Sequence, residues 1–247
     1  MQSTHIRIFG SVAEFESGTA KEIVRLMAES IRERDVCRLV LSGGSTPQGV
    51  YRQLAAEPLR TFIDWSRVQL FFSDERCVPP DDPRSNFGMV KRELLTSVII
   101  GPDHVHRIKG ELSPESAAEE YEQVLRRAVG PGPDLFDVTL LGVGEDGHTA
   151  SLFPASDALH ETSRWVCAVY AQRLESWRIS ITFPCINASR NVLILASGEA
   201  KAAIIEQALG AKQPSAHIPV TIVRPTQGEL FWMLDKQASV RYRSCHH

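Results

Sequence analysis

Asp146-Gly147-His148 sets a carboxylate two residues before an imidazole, inside the run Gly142-Val143-Gly144-Glu145-Asp146-Gly147-His148. A histidine titrates near neutrality, so it can take a proton from water and return it to a leaving group. A carboxylate at this spacing can orient the ring, and Gly142 and Gly144 leave room for a ligand beside the backbone. Taken alone, Asp-Gly-His is equally a turn, with Asp146 capping a following helix. Asp74 and Asp146 are both candidates for the acid that partners His148.

Two further clusters give His148 its context. Ser42-Gly43-Gly44-Ser45-Thr46-Pro47 combines glycines, which let backbone N–H groups approach an anion, with hydroxyl donors and the positive end of a following helix. That suits a phosphate. The loop lacks the Gly-Lys-Ser/Thr of a nucleotide P-loop and the Gly-x-Gly-x-x-Gly of a dinucleotide fold. By itself it also fits a tight turn at a helix start. Asp74-Glu75-Arg76 ends an apolar run, and such a run alone reads as solvated surface. Opposite a phosphate loop, Asp74 can bind sugar hydroxyls and Arg76 can stabilise an oxyanion or the phosphate. Arg178 and Lys201 are isolated cations that become phosphate contacts only in this company. His5, His104, His106, His160 and His217 lack a comparable glycine-rich setting and read as structural or surface residues. His246 and His247 read as part of a disordered tail.

These loops need elements to hold them. Apolar spacing predicts a helix over 19–34, a strand over Arg38–Leu41, and a helix over Gln48–Ala56 with Pro47 in its first turn. Strands follow at Val68–Phe72, Phe136–Leu141, Ile179–Thr182, Asn191–Ala196 and Phe231–Leu234. Helices are expected at Asn86–Leu95, from Pro114 to about Ala128 with Ser113 as cap, and at Glu199–Ala208. Gly130-Pro131-Gly132-Pro133 breaks the chain within one domain. Short apolar strands alternating with helices indicate a mainly parallel sheet covered on both faces. The candidate residues all follow strands, where open α/β sheets bind ligands.

Bulk properties narrow the classes. The 247 residues are 43% hydrophobic and 23% charged, with a net charge of −3. That balance speaks against a general nucleic-acid binder. No stretch has the length of a membrane span, and the first residues lack the apolar core of a secretion signal. The five cysteines, Cys37, Cys77, Cys167, Cys185 and Cys245, are scattered without a Cys-x-x-Cys. They are expected to be reduced thiols of a cytoplasmic protein, with no metal site.

Four segments together resemble the 6-phosphogluconolactonase family, within the glucosamine/galactosamine-6-phosphate isomerase superfamily. They are Leu41 to Pro47; Ser73-Asp74-Glu75-Arg76-Cys77-Val78-Pro79 with Ser85-Asn86 downstream; Asp137 through Pro154; and Arg178-Ile179-Ser180-Ile181-Thr182 through Gly198-Glu199-Ala200-Lys201-Ala202. The third is the most specific, and their order and spacing match across nearly the whole chain. The resemblance implies a three-layer α/β/α sandwich with a mainly parallel, Rossmann-like sheet, related to sugar-phosphate isomerases and deaminases. It implies a single domain, 1–247, that hydrolyses 6-phosphogluconolactone to 6-phosphogluconate in the oxidative pentose phosphate pathway. No cofactor, metal, nucleic acid or membrane is implied; the only partner is a small phosphorylated sugar lactone, and the chain is expected to be a monomer or weak homodimer. Carried over by position, His148, Asp74 and Arg76 resemble the reaction centre, with Asp146 beside it. Ser42, Gly43, Gly44, Ser45, Thr46, Arg178 and Lys201 resemble substrate and phosphate contacts. A proline-rich stretch expected before Arg178 is replaced by Tyr170-Ala171-Gln172-Arg173-Leu174-Glu175-Ser176-Trp177, which makes Arg173 an alternative to Arg178.

Three rivals are weighed. A glucosamine-6-phosphate deaminase or isomerase would carry a glutamate five residues after the histidine, where this chain has Phe153. A non-catalytic sugar-phosphate sensor would need a DNA-binding helix-turn-helix, yet Ile6–Phe9 already begins the sheet. A fragment of a larger fusion is disfavoured because the chain starts at Met1 and covers the family end to end.

Overall fold

The computed structural model describes residues 3–130, 132 and 134–244; His246, His247 and Cys245 lie outside them, as do Pro131 and Pro133 of the Gly-Pro break. Nine strands are described: β1 (Ser3–Phe9), β2 (Cys37–Leu41), β3 (Val68–Phe72), β4 (Asp74–Arg76), β5 (Val138–Gly142), β6 (Val166–Ala171), β7 (Ser176–Ile181), β8 (Asn191–Ala196) and β9 (Glu229–Asp235). The helices are α1 (Val12–Arg34), α2 (Ser45–Ala55), α3 (Leu59–Phe62), α4 (Asn86–Val90), α5 (Pro114–Val129), α6 (Phe183–Asn187), α7 (Ala202–Gly210) and α8 (Val240–Ser244).

Six strands form a sheet in the order β1-β9-β8-β5-β2-β3, with every pairing parallel. Its interior strands are apolar runs such as Val192-Leu193-Ile194-Leu195-Ala196, all buried, as a parallel sheet covered by helices requires. The fold is the expected three-layer α/β/α sandwich. A second sheet, β4-β7-β6, is antiparallel and was not foreseen: β4 is only Asp-Glu-Arg, and β6 mixes buried and half-exposed positions. Ser73 joins the two sheets. Its N–H donates to Leu41 O at 2.8 Å, and its carbonyl accepts from Ile181 N at 2.9 Å.

Element boundaries differ where caps override periodicity. Helix α1 starts at Val12, seven residues before the expected start, because Ser11 Oγ accepts from Glu14 N. Helix α2 starts at Ser45, not Gln48, with Gly44 at φ 95° as its cap, so Ser45 and Thr46 lie in its first turn. Helix α4 continues into a π-helical turn, Lys91–Leu95. Helix α5 has Ser113 as cap and Pro114 in its first turn, as expected.

Candidate active site

The loops after β2, β5 and β8, and the start of β4 after β3, emerge from four adjacent strands of the large sheet at their carboxyl ends. Between them lies a cavity of about 220 Å³. It is lined by Ser42, Gly43, Gly44, Ser45, Thr46, Asp74, Arg76, His148, Arg178 and Lys201, which brings together every candidate named from the sequence except Asp146 and the alternative Arg173.

Asp146 stands directly behind His148. Its Oδ1 lies 2.5 Å from His148 Nδ1 and accepts the His148 backbone N–H at 3.2 Å. Burial alone would push the Asp146 carboxyl up, but the charge of His148 and these hydrogen bonds hold it below its ordinary value. No helix follows for Asp146 to cap, because the described residues 149–156 run as turns. The turn is closed by Gly144 N donating to His148 O at 2.8 Å and Gly147 N donating to Gly144 O at 3.0 Å. A Cβ at Gly144 would sit 2.0 Å from His148 Nδ1 and 2.6 Å from Asp146 Oδ1, so only glycine lets the pair fold against the backbone. The ring of Phe153 covers His148, with centroids 4.6 Å apart.

Asp74 does not partner His148. Its Oδ2 accepts from Ser151 Oγ at 2.8 Å, its Oδ1 from Asn86 Nδ2 at 3.2 Å, and its carbonyl from the same amide at 2.9 Å. Asn86 and Ser151 line the cavity and were not singled out as site residues. Both lie inside the segments that carry the family resemblance, which was the available signal. Glu75 points the other way on β4, as strand alternation demands. It is buried and accepts from Arg76 N, Ser85 Oγ, Asn86 N and Phe87 N, tying the Asn86 loop to the strand. Burial pushes its carboxyl up against those bonds.

Arg76 and Arg178 face each other in the β4–β7 register. Burial, then the neighbouring charge of Arg76, lowers the Arg178 guanidinium from its ordinary value. The Nε atoms of both arginines are buried without a hydrogen-bond partner among the described residues, while Arg76 also donates to the Arg84 carbonyl. Two cations held together with spare donors can bind an anion. Arg173 is exposed and does not line the cavity, whereas the next residue, Leu174, does. Lys201 makes no ion pair among the described residues. Beneath Ser42, the buried Tyr51 hydroxyl donates to its carbonyl at 2.7 Å and accepts its N–H at 2.9 Å, fixing the loop to α2. The other described histidines lie elsewhere: His106 bonds Gln69 and stacks on Phe71, and His5 stacks on Phe231.

The sequence model of the family described as glucosamine-6-phosphate isomerases/6-phosphogluconolactonase matches residues 11–232. The chain belongs to this family. It is 35% identical over 243 residues to a protein of Oryza sativa subsp. indica named "Probable 6-phosphogluconolactonase 3, chloroplastic", covering 94% of this chain and 74% of that one. It is 38% identical over 205 residues to the 6-phosphogluconolactonase of Treponema pallidum, covering 80% and 82%. The solved structure of a 6-phosphogluconolactonase from Trypanosoma cruzi superimposes with a TM-score of 0.85 at 30% identity, covering 97% of each chain. No helix of the described residues is long and apolar enough to cross a membrane.

Proposed function

We propose that this chain is a 6-phosphogluconolactonase, a carboxylic ester hydrolase that converts 6-phospho-D-glucono-1,5-lactone to 6-phosphogluconate in the oxidative pentose phosphate pathway. The observation that carries this is the His148–Asp146 pair at 2.5 Å facing, across one small cavity, a hydroxyl-rich helix start and three cations.

The phosphate sits at the start of α2, where the first-turn N–H groups have no intrahelical partner. Ser42, Ser45 and Thr46 add hydroxyls, and Gly43 and Gly44 leave backbone exposed to it. Lys201 and Arg178 balance its charge, and Asp74, anchored by Ser151 and Asn86, accepts from sugar hydroxyls.

With Nδ1–H donated to Asp146, Nε2 of His148 is the base. It takes a proton from water as the water oxygen bonds to the lactone carbonyl carbon. Arg76 stabilises the resulting oxyanion. The tetrahedral centre then collapses, the bond to the ring oxygen breaks, and imidazolium His148 protonates that oxygen. Asp146 stabilises the imidazolium between the two steps and holds the ring's orientation. Phe153 keeps an apolar face against the imidazole, where an acid would stand in the deaminase reading.

The chain works as one lactonase domain without a metal or nucleotide, as a monomer or weak homodimer in the cytoplasm. The assay compares freshly prepared phosphorylated and unphosphorylated gluconolactone. A large preference for the phosphorylated lactone in kcat/KM is expected; equal activity on both would refute the phosphate role of Ser42–Thr46.

A further inference from the structure

We propose that Asp235 is a positioning residue for Lys201 and so sets recognition of the substrate's phosphate group, a role that rests on the lactonase reading above. Lys201 ends the turn Gly198–Lys201 between β8 and α7, closed by Lys201 N donating to Gly198 O at 3.1 Å. Little packing holds this turn. Glu199 and Ala200 are exposed, and nothing lies within 4 Å of where a Gly198 Cβ would stand. Behind it opens a second cavity of about 550 Å³, bordered by Gly10, Ser11, Val12, Glu199 and Asp235 among others.

One side chain tethers it. Asp235, at the end of β9, is 1% exposed. Its Oδ2 accepts from Ser197 Oγ at 2.7 Å and Gly198 N at 3.0 Å. Its Oδ1 accepts from Gly198 N at 3.1 Å and Ala238 N at 2.7 Å. Among the described residues no other side chain hydrogen-bonds residues 197–201. The Gly198 N–H therefore rests between both carboxylate oxygens, three residues before Lys201. Gly198 holds φ at 93°, and the same bonds keep the chain in that conformation.

An amide replaces this carboxylate only in part. Both oxygens accept from Gly198 N, so either orientation of an asparagine sets an NH₂ against that N–H. The one remaining oxygen of the asparagine still accepts, so the turn would be held more loosely while β9 and the core stay packed. Lys201 would be displaced from the phosphate, with the reaction centre after β5 untouched.

The test measures kcat and KM of Asp235→Asn, Lys201→Ala and the double variant on phosphorylated and unphosphorylated gluconolactone, alongside thermal unfolding. Asp235→Asn is expected to lower the phosphorylated-to-unphosphorylated ratio of kcat/KM roughly tenfold, mainly through KM. The double variant should fall no further than Lys201→Ala alone. Ser197→Ala, which removes only the hydroxyl donor, should lower the ratio less, and it decides the matter if Asp235→Asn does not fold. Equal losses on both lactones, or a double variant showing the full product of the single effects, would overturn the proposal. An unchanged ratio in Lys201→Ala would overturn it by removing Lys201 from the phosphate. The wild-type preference tests the lactonase reading separately.

Discussion

The two sheets contribute to the site in different currencies. The six-stranded sheet is buried along its interior strands and supplies mainly backbone and place. It sets the α2 start after β2 and the Gly144-to-His148 turn after β5. The three-stranded sheet supplies charged side chains, aligned by register: Asp74 opposite Ser180, and Arg76 opposite Arg178. Its β6–β7 end is open, with Tyr170, Leu174 and Trp177 46%, 57% and 41% exposed. Position is thus vested in the stiff, apolar part of the molecule and charge in the thin, half-exposed part. Perturbations should separate accordingly.

The largest effect should come from His148, the side chain proposed as the base, which the large sheet places. His148→Ala is expected to lower kcat on the phosphorylated lactone by roughly 10² to 10⁴-fold while leaving the melting temperature near wild type. Turnover within a few-fold of wild type would move the chemistry elsewhere. Next comes the platform itself. Leu193, fully buried in β8, should cost about 2–5 kcal/mol of stability as Leu193→Ala, read from urea unfolding.

Asp146→Asn should lower kcat by roughly ten- to a hundredfold. The sign for stability follows from the lowered Asp146 carboxyl. Its contribution is full above the ordinary carboxylate value and is lost as pH falls through the lowered one. The Asn variant should lack that part of the acid sensitivity in pH-dependent unfolding. The smallest effect belongs to the exposed hairpin. Leu174→Ala should shift stability by no more than about 0.5 kcal/mol. A cost like that of Leu193 would mean that the small sheet is as much a platform as the large one.

The same contrast explains what could be read in the sequence. Val68–Phe72 is apolar except for Gln69, and Asn191–Ala196 is apolar after its first residue; both stand as strands with those bounds. The loops after β2, β5 and β8 carry glycines, hydroxyls and charges at strand ends, so the Ser42–Thr46 loop, His148 and Lys201 were legible as candidates. Of the small sheet, only the strand at Ile179–Thr182 was, standing as β7, Ser176–Ile181. Asp74–Arg76 has no strand propensity and extends only because β7 pairs with it. The Arg76–Arg178 opposition is a register between segments a hundred positions apart in the chain, which no local pattern encodes. The choice between Asp74 and Asp146 was likewise decided by tertiary contacts. Ser151 and Asn86 occupy Asp74, leaving Asp146 to the histidine. The start of α1 was hidden because Gly18 interrupts the helical pattern; the Phe9 ring packs against it so closely that a Cβ there would lie 2.2 Å away.

The facing guanidiniums have a thermodynamic consequence. Without an anion, Arg76 and Arg178 repel each other across a half-buried register, with two Nε donors unanswered. Part of the folded chain's free energy is therefore deferred until a ligand arrives. Saturating inorganic phosphate should raise the melting temperature, by a stabilisation of about 2.7 kcal/mol at a hundredfold excess over its Kd. Arg178→Ala should raise the unliganded baseline relative to its liganded state and so shrink that increment. Substrate is, in this sense, a late component of the fold.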